Sequence, residues 1–343
     1  MGEEVCISKE VKGASPVPYA DVRRRVLEIF RKPVPLAKGV KKKGMVKHLI
    51  KVDRVYGYVD SAVFAKVEKL PKPEELNAFY AEILKLAGIA DYADILRKFR
   101  GYRRVLRKLW REYRLKIKST VSAREANDVA REFVGRTLSL VRRIRKDIDL
   151  LRAAVAELRK LPCFNFNEPI IVVAGMPQVG KSTFVRRVST AEPEVSPFPF
   201  TTKDVILGHV FLDHVRIQII DTPGILDRPL DELNEIERKA VSAVRFLGDV
   251  LLFLVDPRPS SYYSLKEQIG LLRMVRSIFR GKGMIVAVNK IDEVDDSRLE
   301  YVVKEIRKVF DGEVYLISAL QGTGVDAVLR RLLELAASKY LTT

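Results

Sequence analysis

Two cysteines, Cys6 and Cys163, are all the thiol chemistry that this chain of 343 residues contains. They stand far apart with no partner pattern around either, so the sequence offers neither a disulfide framework nor a metal site. Histidine is equally scarce. His48, His209 and His214 are isolated, and nothing spaces them as ligands. No apolar run approaches the roughly 18–20 residues that a membrane span requires. The start, MGEEVCISKE, lacks the basic-then-apolar pattern of a secretory leader. No internal repeat is present. These gaps leave a soluble, cytoplasmic protein as the expectation.

What the chain has in quantity is charge. Hydrophobic residues make up 47% and charged residues 31%, as in a globular protein, and the length suggests two domains. The net charge is +18, and it is not shared evenly. Residues 1–168 hold 39 Lys+Arg against 21 Asp+Glu, whereas residues 169–343 hold 23 of each. One half is suited to a polyanion and the other is neutral. Abundant Lys, Arg and Glu also give the composition a thermophilic cast.

The first half reads helical. YADVRRRVLEIFR, residues 19–31, is amphipathic and stopped by Pro33 and Pro35. The basic stretch GVKKKGMVK reads as a loop. Val52, Val55, Tyr56, Val59, Val63 and Val67 then recur at helical spacing, and Glu74 to Ala87 forms another helix closed by Gly88. A long helix over 91–118 carries the apolar stripe Ile95, Phe99, Tyr102, Leu106, Leu109, Tyr113 and Ile117. Another, over 123–160, begins at a Ser122/Glu125 capping box. Such helices pack as an antiparallel bundle. The expected division is a basic helical bundle over 1–160, a linker over 161–168 and a second domain over 169–343. In that second domain IIVVAG, VILGHVFL, VRIQII, VLLFLVD, MIVAVNK and VYLIS read as strands with helices between them. The expectation is a doubly wound, mostly parallel α/β sheet, ended by a helix over 325–340.

GMPQVGKS, residues 175–182, follows the first of these strands and opens a helix, the context that a phosphate-binding loop requires. Gly175, Pro177, Gln178, Val179, Gly180 and Thr183 lend backbone to a phosphate cradle. Lys181 brings a charge to the β- and γ-phosphates, and Ser182 offers a hydroxyl to Mg²⁺. PEVSPFPFTTKD, residues 193–204, reads as a mobile extended loop. One of its hydroxyls, Thr201 or Thr202 and by preference Thr202, is expected to complete the Mg²⁺ shell with Ser182 and Asp221. DTPG follows a strand, so Gly224 can present its N–H to a γ-phosphate. NKID, residues 289–292, reads guanine: Asp292 accepts from the base, Asn289 braces it and Lys290 lies over the ring. Ser318 and Ala319 stand where a backbone N–H can meet the guanine oxygen. In this order, each at a strand end, the motifs specify GTP and GDP rather than adenine nucleotides. One residue departs from the scheme. Ras-type enzymes carry a water-positioning glutamine after the DxxG glycine, and here that residue is Ile225, which has no polar side-chain atom.

GMPQVGKSTF, PFPFTTKDVILGH and IDTPGILDRPLDELNEIE resemble the nucleolar GTP-binding protein 1 family, a branch of the Obg-related GTPases. The resemblance extends over nearly the whole chain, the helical half being similar to that family's amino-terminal domain. It implies a P-loop GTPase domain behind a helical domain, with Mg²⁺, acting in large ribosomal subunit assembly on ribosomal RNA and assembly intermediates. The absence of a nucleolar-type carboxyl extension points to an archaeal member. Gln178 replaces the family's usual asparagine, which in related GTPases helps to hold a potassium ion, and so leaves potassium dependence open.

Eleven cations crowd one stretch between Arg97 and Lys118, with Glu112 as the only acid between Asp94 and Arg124. Like charges at helical spacing repel, and a polyanionic partner removes the conflict. Arg103, Arg104, Arg107, Lys108, Arg111 and Arg114 are therefore the candidate RNA contacts, by shape and backbone recognition rather than base reading. Tyr102, Trp110 and Tyr113 are assigned to the core or its rim. A solvated thermophilic surface is the plain alternative, but it should charge both halves. The leading expectation is a slow GTP hydrolase that switches on ribosomal RNA. The competing ones are a nucleotide-gated RNA scaffold with negligible turnover and a GTPase on an anionic membrane. The last lacks any lipid motif or apolar interfacial face.

Overall fold

The computed structural model describes residues 6–39, 42–212 and 215–337. Val40 and Lys41 of the basic stretch, Asp213 and His214 between two of the expected strands, and the expected end of the last helix at 338–340 lie outside them. The chain divides into two compact units, one of residues 7–159, the other of residues 160–343 with the segment up to Cys6.

The first unit is helical: α1 (Ile7–Glu10), α2 (Tyr19–Arg31), α3 (Lys43–Val59), α4 (Ala65–Val67), α5 (Ala78–Leu86), α6 (Tyr92–Ser119), α7 (Ala123–Arg143) and α8 (Arg145–Leu158). Helix α2 has the bounds its pattern predicts, because Pro18 and the prolines after Arg31 punctuate it. The basic stretch does not stay a loop, since α3 starts at Lys43. One π turn, Asp60–Phe64, joins α3 to α4. The helix expected from Glu74 is a 3-10 turn, Pro73–Glu75, and then α5, whose Asn77 cap accepts from the Tyr80 N–H at 3.0 Å. The helix expected over 123–160 is two. Ile144 leaves the helical basin (φ −101°, ψ 12°) with its side chain fully buried. No proline or glycine lies nearby to signal that break. In α6 the buried stripe is Leu96, Phe99, Leu106, Tyr113 and Ile117, so Ile95, Tyr102 and Leu109 flank the core rather than fill it. Trp110 stacks on Tyr56 at 4.5 Å and donates to Asp53 at 2.7 Å, and the buried Tyr113 donates to Glu132 at 2.6 Å. These aromatics belong to the packing of the bundle.

Among its described residues the second unit holds seven strands: β1 (Ile170–Ala174), β2 (Glu194–Pro197), β3 (Asp204–Leu212), β4 (Val215–Asp221), β5 (Val250–Val255), β6 (Gly283–Val288) and β7 (Glu313–Leu316). Their order is β2-β3-β4-β1-β5-β6-β7, parallel except for the β2-β3 and β3-β4 pairs. Five helices connect them or close the unit: α9 (Lys181–Val188), α10 (Glu235–Leu247), α11 (Leu265–Ile278), α12 (Asp296–Arg307) and α13 (Val325–Ala337). Strands β1 and β5 are buried at every position, as continuous apolar runs in a sheet covered on both faces must be. Residues 194–197, expected within a mobile loop, form the edge strand β2. Its prolines forbid helix but are tolerated at a sheet edge.

Two features were not anticipated. The segment 161–168, expected as a linker, is hydrogen-bonded to β4. Gln218, fully buried inside β4, accepts from the Asn165 N–H at 3.0 Å and donates to its carbonyl at 2.6 Å. Cys6 and Cys163 are joined in a disulfide, contrary to the expectation of two unrelated thiols. A separation of 157 residues leaves no local pattern, and the fold alone brings the pair together. Among the described residues no helix is long and apolar enough to cross a membrane.

Candidate nucleotide site

The site lies at the carboxyl edge of the parallel strands, where β1 has β4 on one side and β5 on the other. That is the crevice in which open α/β sheets bind ligands. The loop after β1 turns through Gly175 (φ 140°), Gln178 (φ 65°) and Gly180 (φ 103°) into α9. Gly180 allows no larger residue, because a Cβ there would come within 2.2 Å of Asn289 Nδ2. Pro177 lines the mouth of the loop and Val179 is buried beneath it, while Thr183 is exposed on the first turn of α9. Lys181 is buried and donates to the carbonyls of Gly175 at 2.8 Å and Met176 at 2.9 Å. Burial lowers its pKa, opposed by the nearby Asp221 and Asp227 carboxylates. An ammonium held dry by two carbonyls of a glycine-turned loop is poised for an anion.

Ser182 donates its hydroxyl to Asp221 Oδ2 at 2.6 Å. The other Asp221 oxygen is buried with no hydrogen-bond partner, and burial raises the pKa of this carboxyl. A hydroxyl and a carboxylate with one orphaned buried oxygen suit a hard cation such as Mg²⁺. Thr202, assigned to the same ion, is exposed in the loop between β2 and β3, whereas Thr201 Oγ1 accepts from the Lys203 N–H at 3.0 Å.

Two expected backbone donors are already engaged. The Gly224 N–H donates to Asp227 Oδ2 at 2.6 Å rather than standing open to a phosphate. The Ala319 N–H donates to Asn289 Oδ1 at 2.8 Å, so its contact with a guanine oxygen requires that bond to be shared or released. Asn289 is thirty residues from Ala319 and hidden from local sequence, whereas Asp227 is only three residues from Gly224. Ile225 is buried, 1% exposed.

The base-reading corner is fastened to the phosphate loop. Asn289 is buried and donates to the Val179 carbonyl at 2.8 Å while it holds Ala319. Lys290, at φ 65°, donates to the Gln178 carbonyl and to Asp256 Oδ2, each at 2.7 Å. Asp292 stands exposed beside them on a 3-10 turn, Ile291–Glu293. Ser318 Oγ accepts from the Gln321 N–H at 3.2 Å and shapes the following turn. Asp256, at the end of β5, was missed from sequence. Burial would raise its pKa, but hydrogen bonds from Arg258 and Lys290 outweigh this and hold it low. The buried Gln268 ties down the Asp256 backbone through both its N–H and its carbonyl. The only cue was the aspartate that ends VLLFLVD.

On the helical unit the six cations singled out have different company. Arg103 is bound to both oxygens of Asp60, at 2.6 and 2.7 Å, and to Glu68. Arg114 pairs with Asp53 at 3.2 Å and lies over Trp110. Arg104, Arg107, Lys108 and Arg111 are exposed on one face of α6. Arg97, Arg100, Arg104 and Arg107 line one open concavity with Glu68 and Arg103.

Two family profiles match adjacent parts of the chain, one described as NOG1 N-terminal helical domain over residues 26–165, the other as 50S ribosome-binding GTPase over 170–290. An uncharacterized protein of Methanocaldococcus jannaschii, MJ1408, is 37% identical over 235 residues, which are 68% of this chain and 65% of that one. Nucleolar GTP-binding protein 1 of Drosophila melanogaster is 30% identical over 76% of this chain and 41% of its own length, and that of Caenorhabditis elegans 33% identical over 66% and 33%. The chain thus spans less than two thirds of the length of these relatives. A solved structure from Plasmodium falciparum, provisionally named nucleolar GTP-binding protein 1, is 30% identical over 53% of this chain and 93% of that one, with a TM-score of 0.45.

Proposed function

The chain belongs to the nucleolar GTP-binding protein 1 family, and from that premise we propose that it is a GTP-binding, slowly GTP-hydrolysing switch in large ribosomal subunit assembly, docking on ribosomal RNA through its basic helical unit. The carrying observation is the corner where Asn289 joins the phosphate loop to the 318–319 turn while Asp292 stands exposed beside it. Phosphate cradle and base reader are one hydrogen-bonded assembly.

In this reading Gly175 to Thr183 wrap the phosphates and Lys181 exchanges its carbonyl partners for them. Ser182, Asp221 and Thr202 would hold Mg²⁺, which would supply positive charge to offset that of the nucleotide phosphates. The Asp292 carboxylate accepts from guanine N1–H and the exocyclic amine, a donor pair that adenine lacks. Gln178 stands where the family has asparagine, and turnover in potassium against sodium salts decides whether a potassium ion takes part. The exposed α6 arginines meet RNA phosphates. No water-positioning glutamine is present, so the intrinsic rate is low, ~10⁻⁴–10⁻² s⁻¹ as in unassisted switch GTPases, and rises on the ribosomal particle.

The test is nucleotide choice. The unmodified protein should bind GTP and GDP well above ATP. Asp292→Asn should lose GTP and gain xanthosine triphosphate, because the donor pattern inverts. Equal affinity of the unmodified protein for ATP and GTP would refute the reading.

A further inference from the structure

In this structure the amide best placed to sense a third phosphate is held by the protein's own carboxylate. The Gly224 N–H donates to Asp227 Oδ2 at 2.6 Å, a short, charge-assisted bond. The turn that carries Asp227 is moored to the phosphate loop, since the Leu226 carbonyl accepts from the Gly175 N–H at 3.3 Å. Asp227 is 9% exposed, and its charge is felt by both Lys181 and Asp221. Its neighbour Arg228 is turned to Glu237 at 2.7 Å. Gly224 sits at φ 74° with the Lys203 stem against it, and a Cβ at that position would approach Lys203 Cγ to 2.7 Å. Met176, Pro177, Lys203, Gly224 and Asp227 line one cleft of about 520 Å³. A carboxylate therefore lies among the groups that should meet the terminal phosphate, bound to one of its donors.

We propose that Asp227 is a specificity-determining residue that competes with the γ-phosphate of GTP for the Gly224 amide and so sets how strongly the protein prefers GTP to GDP. The inference rests on the guanine-nucleotide reading above. GDP has no group that needs this amide, so it binds with the Gly224–Asp227 bond intact. GTP must break that bond and move a negative charge away from its own. The Asp227 carboxylate lowers GTP affinity selectively, so the γ-phosphate has to displace a competitor before the switch closes. Losing the competitor removes that cost from one nucleotide only.

The experiment measures equilibrium affinities of the full chain for GDP and for a non-hydrolysable GTP analogue. It compares the unmodified protein with Asp227→Asn, Asp227→Ala and the control Glu232→Gln, which removes a carboxylate from the same cleft wall. Asp227→Ala should raise the GTP-analogue to GDP affinity ratio by about tenfold, as expected for a freed charge-assisted bond. Asp227→Asn keeps an acceptor without the charge and should fall between. Glu232→Gln should leave the ratio where it was. If Asp227 only closes the turn, both affinities fall together and the ratio stays put in both Asp227 variants, which overturns the proposal. The ratio from Asp227→Asn decides the matter should the alanine variant fail to fold. Failure of the unmodified protein to bind GDP would instead overturn the underlying reading, and this inference with it.

Discussion

Ile225 has no polar side-chain atom, and it is buried with its N–H bonded to the Thr222 carbonyl at 3.1 Å. Burial explains why a hydrocarbon is tolerated there and makes its role one of packing. Phosphoryl transfer is mainly positioning and charge stabilisation, so under the proposed function the missing glutamine should limit the rate without abolishing the chemistry. Truncation to alanine would cost ~2–5 kcal/mol of stability for a buried isoleucine. The kinetic test is therefore Ile225→Val, which should change single-turnover GTP hydrolysis little. Lys181→Ala and Thr202→Ala should each reduce it by ~10²–10³-fold, the scale of losing one charge-stabilising group. A large loss in Ile225→Val with nucleotide affinity intact would mean that this side chain shapes the reacting geometry. Activity unaffected by Lys181→Ala would place the measured turnover outside this site.

Helix α6 shows which kinds of information a sequence carries at the scale of an element. Its length and most of its buried stripe follow from residue spacing. Which of its arginines are spoken for does not, because Asp60, Glu68 and Asp53 reach α6 from distant parts of the chain. The same distinction runs through the molecule. The phosphate loop, DTPG and NKID were legible because each is a local spacing at a strand end. The partner of the Ala319 amide, the break at Ile144 and the edge strand β2 depend on tertiary neighbours, whereas Asp227 lies only three residues beyond Gly224. For RNA binding the consequence is a choice of variant. Neutralising Arg103 would break an internal ion-pair network and confuse folding with binding. Arg104, Arg107 and Arg111 changed together to glutamine should instead flatten the salt dependence of RNA binding by the full chain. The expected change is about 2–3 units of log affinity per log salt, at ~0.7–0.9 for each phosphate no longer neutralised. A slope unchanged in that variant would move the RNA surface off this face of α6.

Across the whole chain the charge is divided as the structure is. The helical unit carries the positive excess and the sheet unit is near neutral, and the proposal accordingly assigns RNA contact to the first and nucleotide chemistry to the second. The Cys6–Cys163 bond ties the start of the chain to the sheet unit, an arrangement with no trace in local sequence. The central claim, a guanine-nucleotide switch acting on ribosomal RNA, is tested most directly by cross-linking. The full chain is added to an extract of its host cell with a non-hydrolysable GTP analogue or with GDP, irradiated, and the attached RNA sequenced. The account predicts large-subunit ribosomal RNA, enriched with the GTP analogue over GDP and depleted when Arg104, Arg107 and Arg111 are neutralised. RNA drawn evenly from the whole cellular pool, recovered alike with both nucleotides, would contradict it.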